Sequence, residues 1–189
     1  MFVSATLSAT PSSTPIAAVG LGANLPSPAG PPEQTLLAAM SDLAAAGTIV
    51  ARSSLYRTDP VGFMDQPAFV NAAVTFTTGL APEALLDLLL AIERRYGRDR
   101  RMAPPNGPRT LDLDLLLLDD LIVNTPRLTL PHPALAFRRF VLAPLAEIAP
   151  GLCHPVLKKN IKELLAAVPD EGSNRIESVR KIYSPKGQP

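Results

Sequence analysis

The chain has 189 residues and a mass of 20.1 kDa, enough to bury one good core and too little for two ordinary domains. With 47% hydrophobic and 19% charged residues, 21 Pro and 11 Gly, it suits a globule with many stiff connections, and disorder throughout is excluded. A net charge of +1 excludes a surface built to grip a polyanion such as nucleic acid.

Residues 1–15 are Ser, Thr, Ala and Pro with few large apolar side chains, so burial cannot offset the entropy of ordering them, and a flexible extension is expected. No Lys or Arg precedes Arg52, which argues against a secretory signal or a mitochondrial presequence and points to the cytoplasm. Ile16 to Leu21 is a short apolar run closed by Gly20 and Gly22, and it reads as a buried strand. Pro32 and Glu33 open a helix carrying Leu36, Leu37, Met40, Leu43 and Ala44, ended by Gly47. Ile49 to Tyr56 and Phe69 to Thr78 are strand-like, the second alternating through Val70, Ala72, Val74 and Phe76. Pro82 to Tyr96 predicts an amphipathic helix with Leu85, Leu89, Ile92 and Tyr96 in one stripe, arginines in its last turn and Gly97 beyond. Leu111 to Leu118 is another strand, and Asp119-Asp120 a turn.

The order strand, helix, strand, strand, helix, strand predicts an α+β fold of ferredoxin-like βαββαβ plan, its antiparallel sheet covered by helices on one face. Two additional C-terminal helices follow, over Arg138 to Ile148 and Lys158 to Val168. In the last residues, Ile176, Val179 and Ile182 can add a short packed segment. Both apolar runs, Leu85 to Ile92 and Leu111 to Leu118, fall far below the roughly 20 residues of a membrane span. Cys153, the only cysteine, reads as a buried inert thiol.

The strongest chemical signal is Gly107-Pro108-Arg109-Thr110-Leu111-Asp112-Leu113-Asp114. Side chains alternate on a strand, so Asp112 and Asp114 share one face while Leu111, Leu113 and Leu115 take the other. Unpaired carboxylates beside such an apolar run are costly unless a cation compensates them. Two Mg²⁺ ions bridged by the pair would do so, as in phosphoryl transfer, and Arg109 stands ready for phosphate oxygens. Alternatively, both acids pair with the arginine cluster of Arg94, Arg95, Arg98, Arg100, Arg101 and Arg109 on a solvated face.

That string resembles the signature of the 6-hydroxymethyl-7,8-dihydropterin pyrophosphokinase family, in which Gly-Pro-Arg leads into Leu-Asp-Leu-Asp. Further blocks are similar in the same order: Gly22-Ala23-Asn24-Leu25, Ser53 to Thr58 with Pro60-Val61-Gly62, Asp65-Gln66-Pro67 with Phe69 to Val74, and Leu130-Pro131-His132-Pro133 with Arg138 to Leu145. The resemblance implies a pyrophosphokinase domain over 16–168 with a tail at 169–189. It implies diphosphate transfer from ATP to the hydroxymethyl group of the pterin, giving AMP; charge and the short apolar runs point to a protein that binds neither nucleic acid nor membrane, and a monomer is expected.

By the same resemblance, Asp112 and Asp114 are ligands of two Mg²⁺ ions. Arg98, Arg109, His132 and Arg138 hold phosphates, with Arg100, Arg127 and Thr129 near the nucleotide and Glu93 lining the ATP side. Phe69 and Phe140 stack on the pterin, while Thr58, Asp59, Val61 and Asn71 read its polar edge. Taken alone, Phe69 and Phe140 also read as core residues and His132, between two prolines, as a turn residue. Leu90 stands where the family carries a polar residue facing the nucleotide, and Pro104-Pro105 where some members have Arg-Trp; a mobile loop is expected over Arg101 to Asn106. Two rival readings are weaker: an RNA-binding module, which lacks the paired aromatic strand motif, and a dinucleotide fingerprint at Gly20-Leu21-Gly22, which lacks its third glycine.

Overall fold

A computed structural model describes residues 14–60, 62, 64–100, 107–175 and 179–183. The expected flexible extension therefore lies outside the described residues up to position 13, as do Val61, Ile176 and the loop 101–106.

Strand β1 (Ile16–Ala23) forms where small and β-branched residues permit close pairing on both sides, and it sits centrally between β4 (Phe69–Thr77) and β5 (Asp112–Leu118). The sheet order is β5-β1-β4-β3-β8, with every pairing antiparallel. The expected second strand is two pieces, β2 (Thr48–Arg52) and β3 (Leu55–Thr58), both paired to β4. They part at Ser53 and Ser54, which turn their hydroxyls inward: Ser53 Oγ accepts from Ala73 N at 2.8 Å, and Ser54 Oγ donates to Glu147. Counting these pieces as one strand, the arrangement is the predicted ferredoxin-like one.

Helices α1 (Pro32–Asp42) and α2 (Pro82–Arg95) cover one face of the sheet, each opened by a proline in its first turn. There Leu36, Met40, Leu85 and Leu89 pack on Val19, Leu21, Val74 and Phe76, all fully or nearly fully buried. Each such side chain stabilises the fold by about 1.5–3 kcal/mol. The sheet is not one-sided, however. Helices α3 (Arg139–Ile148) and α4 (Ile161–Ala167) bury Leu142, Leu145, Ile161 and Leu164 against Ala18, Ala73, Leu116 and Leu117 on the opposite face. The alternation of β1 and β4, apolar in both phases, fits a strand buried on two sides.

A β-bulge interrupts the β1–β5 ladder: Ala18 faces Leu117 and Val19 faces Leu115, leaving Leu116 without a partner. The carbonyl of Leu116 instead accepts from His132 N at 2.9 Å. Past β5, Asp119 takes a positive φ of 46° in the expected turn, and a short hairpin follows, β6 (Val123–Asn124) with β7 (Thr129–Leu130). At the far edge, β8 (Val179–Tyr183) pairs with β3, so the anticipated packed segment near the C-terminus is a sheet strand. Cys153 corrects the sequence reading: it is exposed, on a loop between α3 and α4. Among the described residues no helix is long and apolar enough to cross a membrane.

Gly47 ends the first helical segment with φ 155°, where a Cβ would lie 1.9 Å from the carbonyl oxygen of Thr77. Backbone cannot yield there as a flexible side chain would. Gly47→Ala is expected to destabilise the protein by roughly 2–4 kcal/mol, read by denaturant unfolding; a loss under about 1 kcal/mol would refute this close approach.

Candidate active site

On the face of the sheet opposite α1 and α2, β1 presents two glycines. Gly20 pairs with Asp114 and Gly22 with Asp112 on one side, while Gly22 pairs with Asn71 on the other. A floor without side chains therefore separates the two carboxylates from the strand that carries Phe69 and Asn71. A cavity opens above it, lined by Gly20, Asp112 and Asp114, by Thr58, Asp59, Phe69 and Asn71, and by Arg109, Arg138 and Phe140. These ten residues come from four strands, two loops and the start of α3, elements far apart in sequence.

The arginines converge on Asp112. Arg109 Nη1 donates to its Oδ2 at 2.9 Å, and Arg100 and Arg98 stand 3.7 and 3.9 Å from its Oδ1. Asp114 has no hydrogen-bond or ion-pair partner among the described residues. Burial and the neighbouring Asp112 hold its carboxyl above the usual carboxylate range, with His132, Arg138 and Arg100 pulling it partly back. The two acids are thus inequivalent: one is tied into the cation cluster, as one sequence reading allowed, and the other is left open to the cavity.

Glu93 is 1% exposed, in the apolar stripe of α2. Its carboxylate accepts from Leu113 N at 2.9 Å and from both Nε and Nη2 of Arg100, at 2.9 and 2.8 Å. Burial pushes its carboxyl upward, offset in part by Arg100 and the Leu113 amide. Glu93 thus fixes Arg100 and fastens α2 to β5. A second, more open cavity lies beside it, lined by Leu90, Glu93, Arg94, Gly97, Arg98 and Arg100 among others.

Arg109 is held by its backbone as well as its side chain. Asn24 Oδ1 accepts from Arg109 N at 2.7 Å, and the Arg109 carbonyl accepts from Asn24 N and Leu25 N, each at 3.0 Å. Asn24 Nδ2 continues to Gln66 Oε1 and to the Pro67 carbonyl, tying the loop before β4 into the same knot. The Arg109 guanidinium lies 4.9 Å from the Phe69 ring centroid, and Arg138 lies 5.7 Å from that of Phe140. The Nε atoms of Arg98 and Arg109 are buried without a hydrogen-bond partner, an unsatisfied state that oxyanions would relieve.

Thr58 and Asn71 meet directly, Asn71 Nδ2 donating to Thr58 Oγ1 at 2.7 Å. His132 Nδ1 accepts from Ala134 N at 3.2 Å, which leaves Nε2 to carry the proton of the neutral ring. Among the described residues, three from the sequence reading line neither of these cavities: His132, Arg127 and Thr129. Arg127 pairs with Asp87 at 2.6 Å and Glu83 at 3.5 Å on the outside of α2, and Thr129 is exposed on β7 opposite Asn124. Arg127 is drawn there because the acids of the first turns of α2 offer it two carboxylates. Asn24, conversely, received no role from sequence: its position in a family block was visible, but its partners lie 42 to 85 residues away.

Gly22 matters sterically, since a Cβ there would lie 2.9 Å from Asn71 Oδ1. Gly22→Ala should therefore turn the Asn71 amide off Thr58 and destabilise the protein by about 1–2 kcal/mol, read by denaturant unfolding; unchanged stability would show that this contact yields freely.

Comparison with known proteins agrees with this geometry. The 2-amino-4-hydroxy-6-hydroxymethyldihydropteridine pyrophosphokinase of Pseudomonas aeruginosa is 49% identical over 128 residues, 68% of this chain and 77% of that protein. The Bacillus subtilis protein of the same name is 46% identical over 146 residues, 76% of this chain and 81% of that one. In fold, the chain resembles a Plasmodium falciparum HPPK-DHPS triple mutant crystallised with SDX-DHP, with a TM-score of 0.69 at 18% identity, covering 90% of this chain and 48% of that one. The chain therefore spans about half the length of that two-part protein. Residues 18–150 match the description of one enzyme family across most of the chain, and the protein belongs to it: the 7,8-dihydro-6-hydroxymethylpterin-pyrophosphokinases.

Proposed function

We infer that this chain transfers the terminal diphosphate of ATP to the hydroxymethyl oxygen of 6-hydroxymethyl-7,8-dihydropterin, a step of folate biosynthesis, and releases AMP. The observation that carries the reading is the pairing of Asp112 and Asp114 on one strand face, ringed by cationic side chains and opening into a glycine-floored cavity flanked by Phe69 and Phe140.

The two carboxylates fit Mg²⁺, which takes one or two carboxylates and completes its shell with water and substrate phosphates. Among the described residues no third acid, histidine or cysteine joins them, so the donor set suits an ion shared with a nucleotide rather than a closed protein cage. When bound, a pair of Mg²⁺ ions would neutralise charge on the transferring diphosphate. Asp112 and Asp114 would hold those ions. Arg98 and Arg109, with their unsatisfied Nε atoms, bind phosphate oxygens, joined by Arg138 and by His132 through Nε2–H. Asp112 gives up its arginine partners as phosphates take them.

The flat pterin lies between Phe69 and Phe140, its polar edge on Asn71, Thr58, Asp59 and Val61. The second cavity, with Leu90, Glu93, Arg98 and Arg100, receives the nucleotide base and ribose. The new bond joins the hydroxymethyl oxygen to the β-phosphorus, the hydroxyl proton is lost, and the bond from the β-phosphorus to the bridging oxygen breaks so that AMP leaves. Alignment and charge neutralisation supply the acceleration, since such transfer asks little covalent work of the protein. The enzyme works in the cytoplasm as a monomer of one catalytic domain, which takes in β8 as an edge strand of its sheet, and needs no nucleic acid or membrane. Incubation with ATP, Mg²⁺ and the hydroxymethyl dihydropterin should yield AMP and pterin diphosphate in equal amounts; formation of ADP, or no pterin-dependent nucleotide turnover, refutes the reading.

A further inference from the structure

The family match ends at residue 150, yet the chain beyond it returns to the active site. A short 3₁₀ turn, Gly172–Asn174, packs against the start of α3. Asn174 Oδ1 accepts from Arg139 N at 2.9 Å, and Asn174 Nδ2 donates to the Phe137 carbonyl at 2.9 Å. The Arg139 guanidinium reciprocates, donating through Nε to the Asn174 carbonyl and through Nη2 to the Val168 carbonyl at 2.9 Å.

The first amides of a helix lack partners within it, and a side chain at the N-cap normally meets one of them. The N-cap of α3 is Arg138, whose side chain makes no such bond. Asn174 supplies the missing acceptor from 35 residues further along the chain. Its amide is two-sided: oxygen meets the helix amide and nitrogen meets the carbonyl of the preceding turn, so one side chain fixes the backbone on both sides of Arg138. Between and just after those two anchored residues stand Arg138 and Phe140, both of which line the cavity. Among the described residues, neither Phe137 nor Arg139 hydrogen-bonds to the strands of the site; the wall is set from the C-terminal side.

We propose that Asn174 is a positioning residue for the pterin site, orienting Phe140 and Arg138 through the backbone of Phe137 and Arg139, so that the C-terminal segment belongs to the substrate pocket. The proposal rests on the pterin reading of that cavity. The segment also reaches the facing wall: β8 pairs Val179 with Thr58, the residue that accepts from Asn71.

The test is binding of the hydroxymethyl dihydropterin by calorimetry, with Mg²⁺ and an unreactive ATP analogue present, alongside steady-state kinetics and thermal unfolding. Asn174→Ala should weaken pterin binding about tenfold and raise its KM to match, while ATP KM stays within about threefold. Asn174→Ser, which keeps an acceptor for Arg139 N, should recover part of the loss. Glu163→Ala serves as a control for simple destabilisation: it breaks the capping box of α4 with Asn160, remote from the cavity, and should lower the melting temperature without moving pterin affinity. Pterin affinity within twofold of wild type in folded Asn174→Ala overturns the proposal, as does a loss that Glu163→Ala reproduces. If Asn174→Ala does not fold, Asn174→Leu, of similar size but with neither donor nor acceptor, decides, and wild-type affinity in that variant is equally fatal. Absence of pterin binding by the wild-type protein would instead sink the functional reading itself.

Discussion

Asp114→Asn is expected to give a protein more stable than wild type at neutral pH whose turnover has fallen at least about a hundredfold. Asp114 is the carboxylate without a partner, held above its ordinary range by burial first and by Asp112 second. A group whose folded value is raised gives stability that is complete below its unfolded value, near 3.8, and lost as pH climbs through the folded value. Above that window the ionised carboxylate is a net cost, which the isosteric amide removes. The gain should be on the order of 1–3 kcal/mol, a melting shift of roughly 2–4 °C per kcal/mol for a chain of this size, and it should vanish in acid. Melting curves across pH together with AMP release test both halves. A variant that is less stable at neutral pH would mean that Asp114 is satisfied in the folded protein, and near-normal turnover would remove it from the metal site.

Arg109→Lys should cost about 10²–10³-fold in kcat, with a much smaller effect on folding than on activity. Lysine keeps the charge but loses the planar fork, and Arg109 uses that plane twice: against the Phe69 ring at 4.9 Å and toward Asp112 at 2.9 Å. Its main-chain bonds to Asn24 and Leu25 do not depend on the side chain, so the turn before β5 survives the exchange. Steady-state kinetics with both substrates saturating is the measurement. Recovery to within fivefold of wild type by lysine would mean that Arg109 acts only as a point charge.

The parts of this site that sequence disclosed are local ones. Asp112 and Asp114 share a face because strands alternate, and Leu85, Leu89 and Ile92 form a stripe because helices repeat every 3.6 residues. Family blocks then brought Phe69, Asn71, Arg138 and Phe140 together in expectation, and one cavity does gather them. What escaped depends on contacts across the chain. Nothing local told Arg127 that Glu83 and Asp87 would hold it on the flank of α2, or that Glu93 would spend its carboxylate on Leu113 N. The second helical layer escaped for a related reason: α3 and α4 read as helices, but the apolar face they needed belongs to Ala18, Ala73, Leu116 and Leu117, on strands already assigned to a core. Ser53 and Ser54 broke the second strand because buried hydroxyls found partners on β4 and α3 that a strand pattern cannot reveal.

The unpaired Leu116 in β5 carries a last consequence. Because its carbonyl is freed from the ladder, it is the group that seizes the amide of His132 and so brings the imidazole toward Asp114. The histidine's reach is therefore governed by arithmetic along the backbone: one leucine fewer would preserve both acids, every arginine and the greasy character of the strand, yet leave the ring with nothing to hang from.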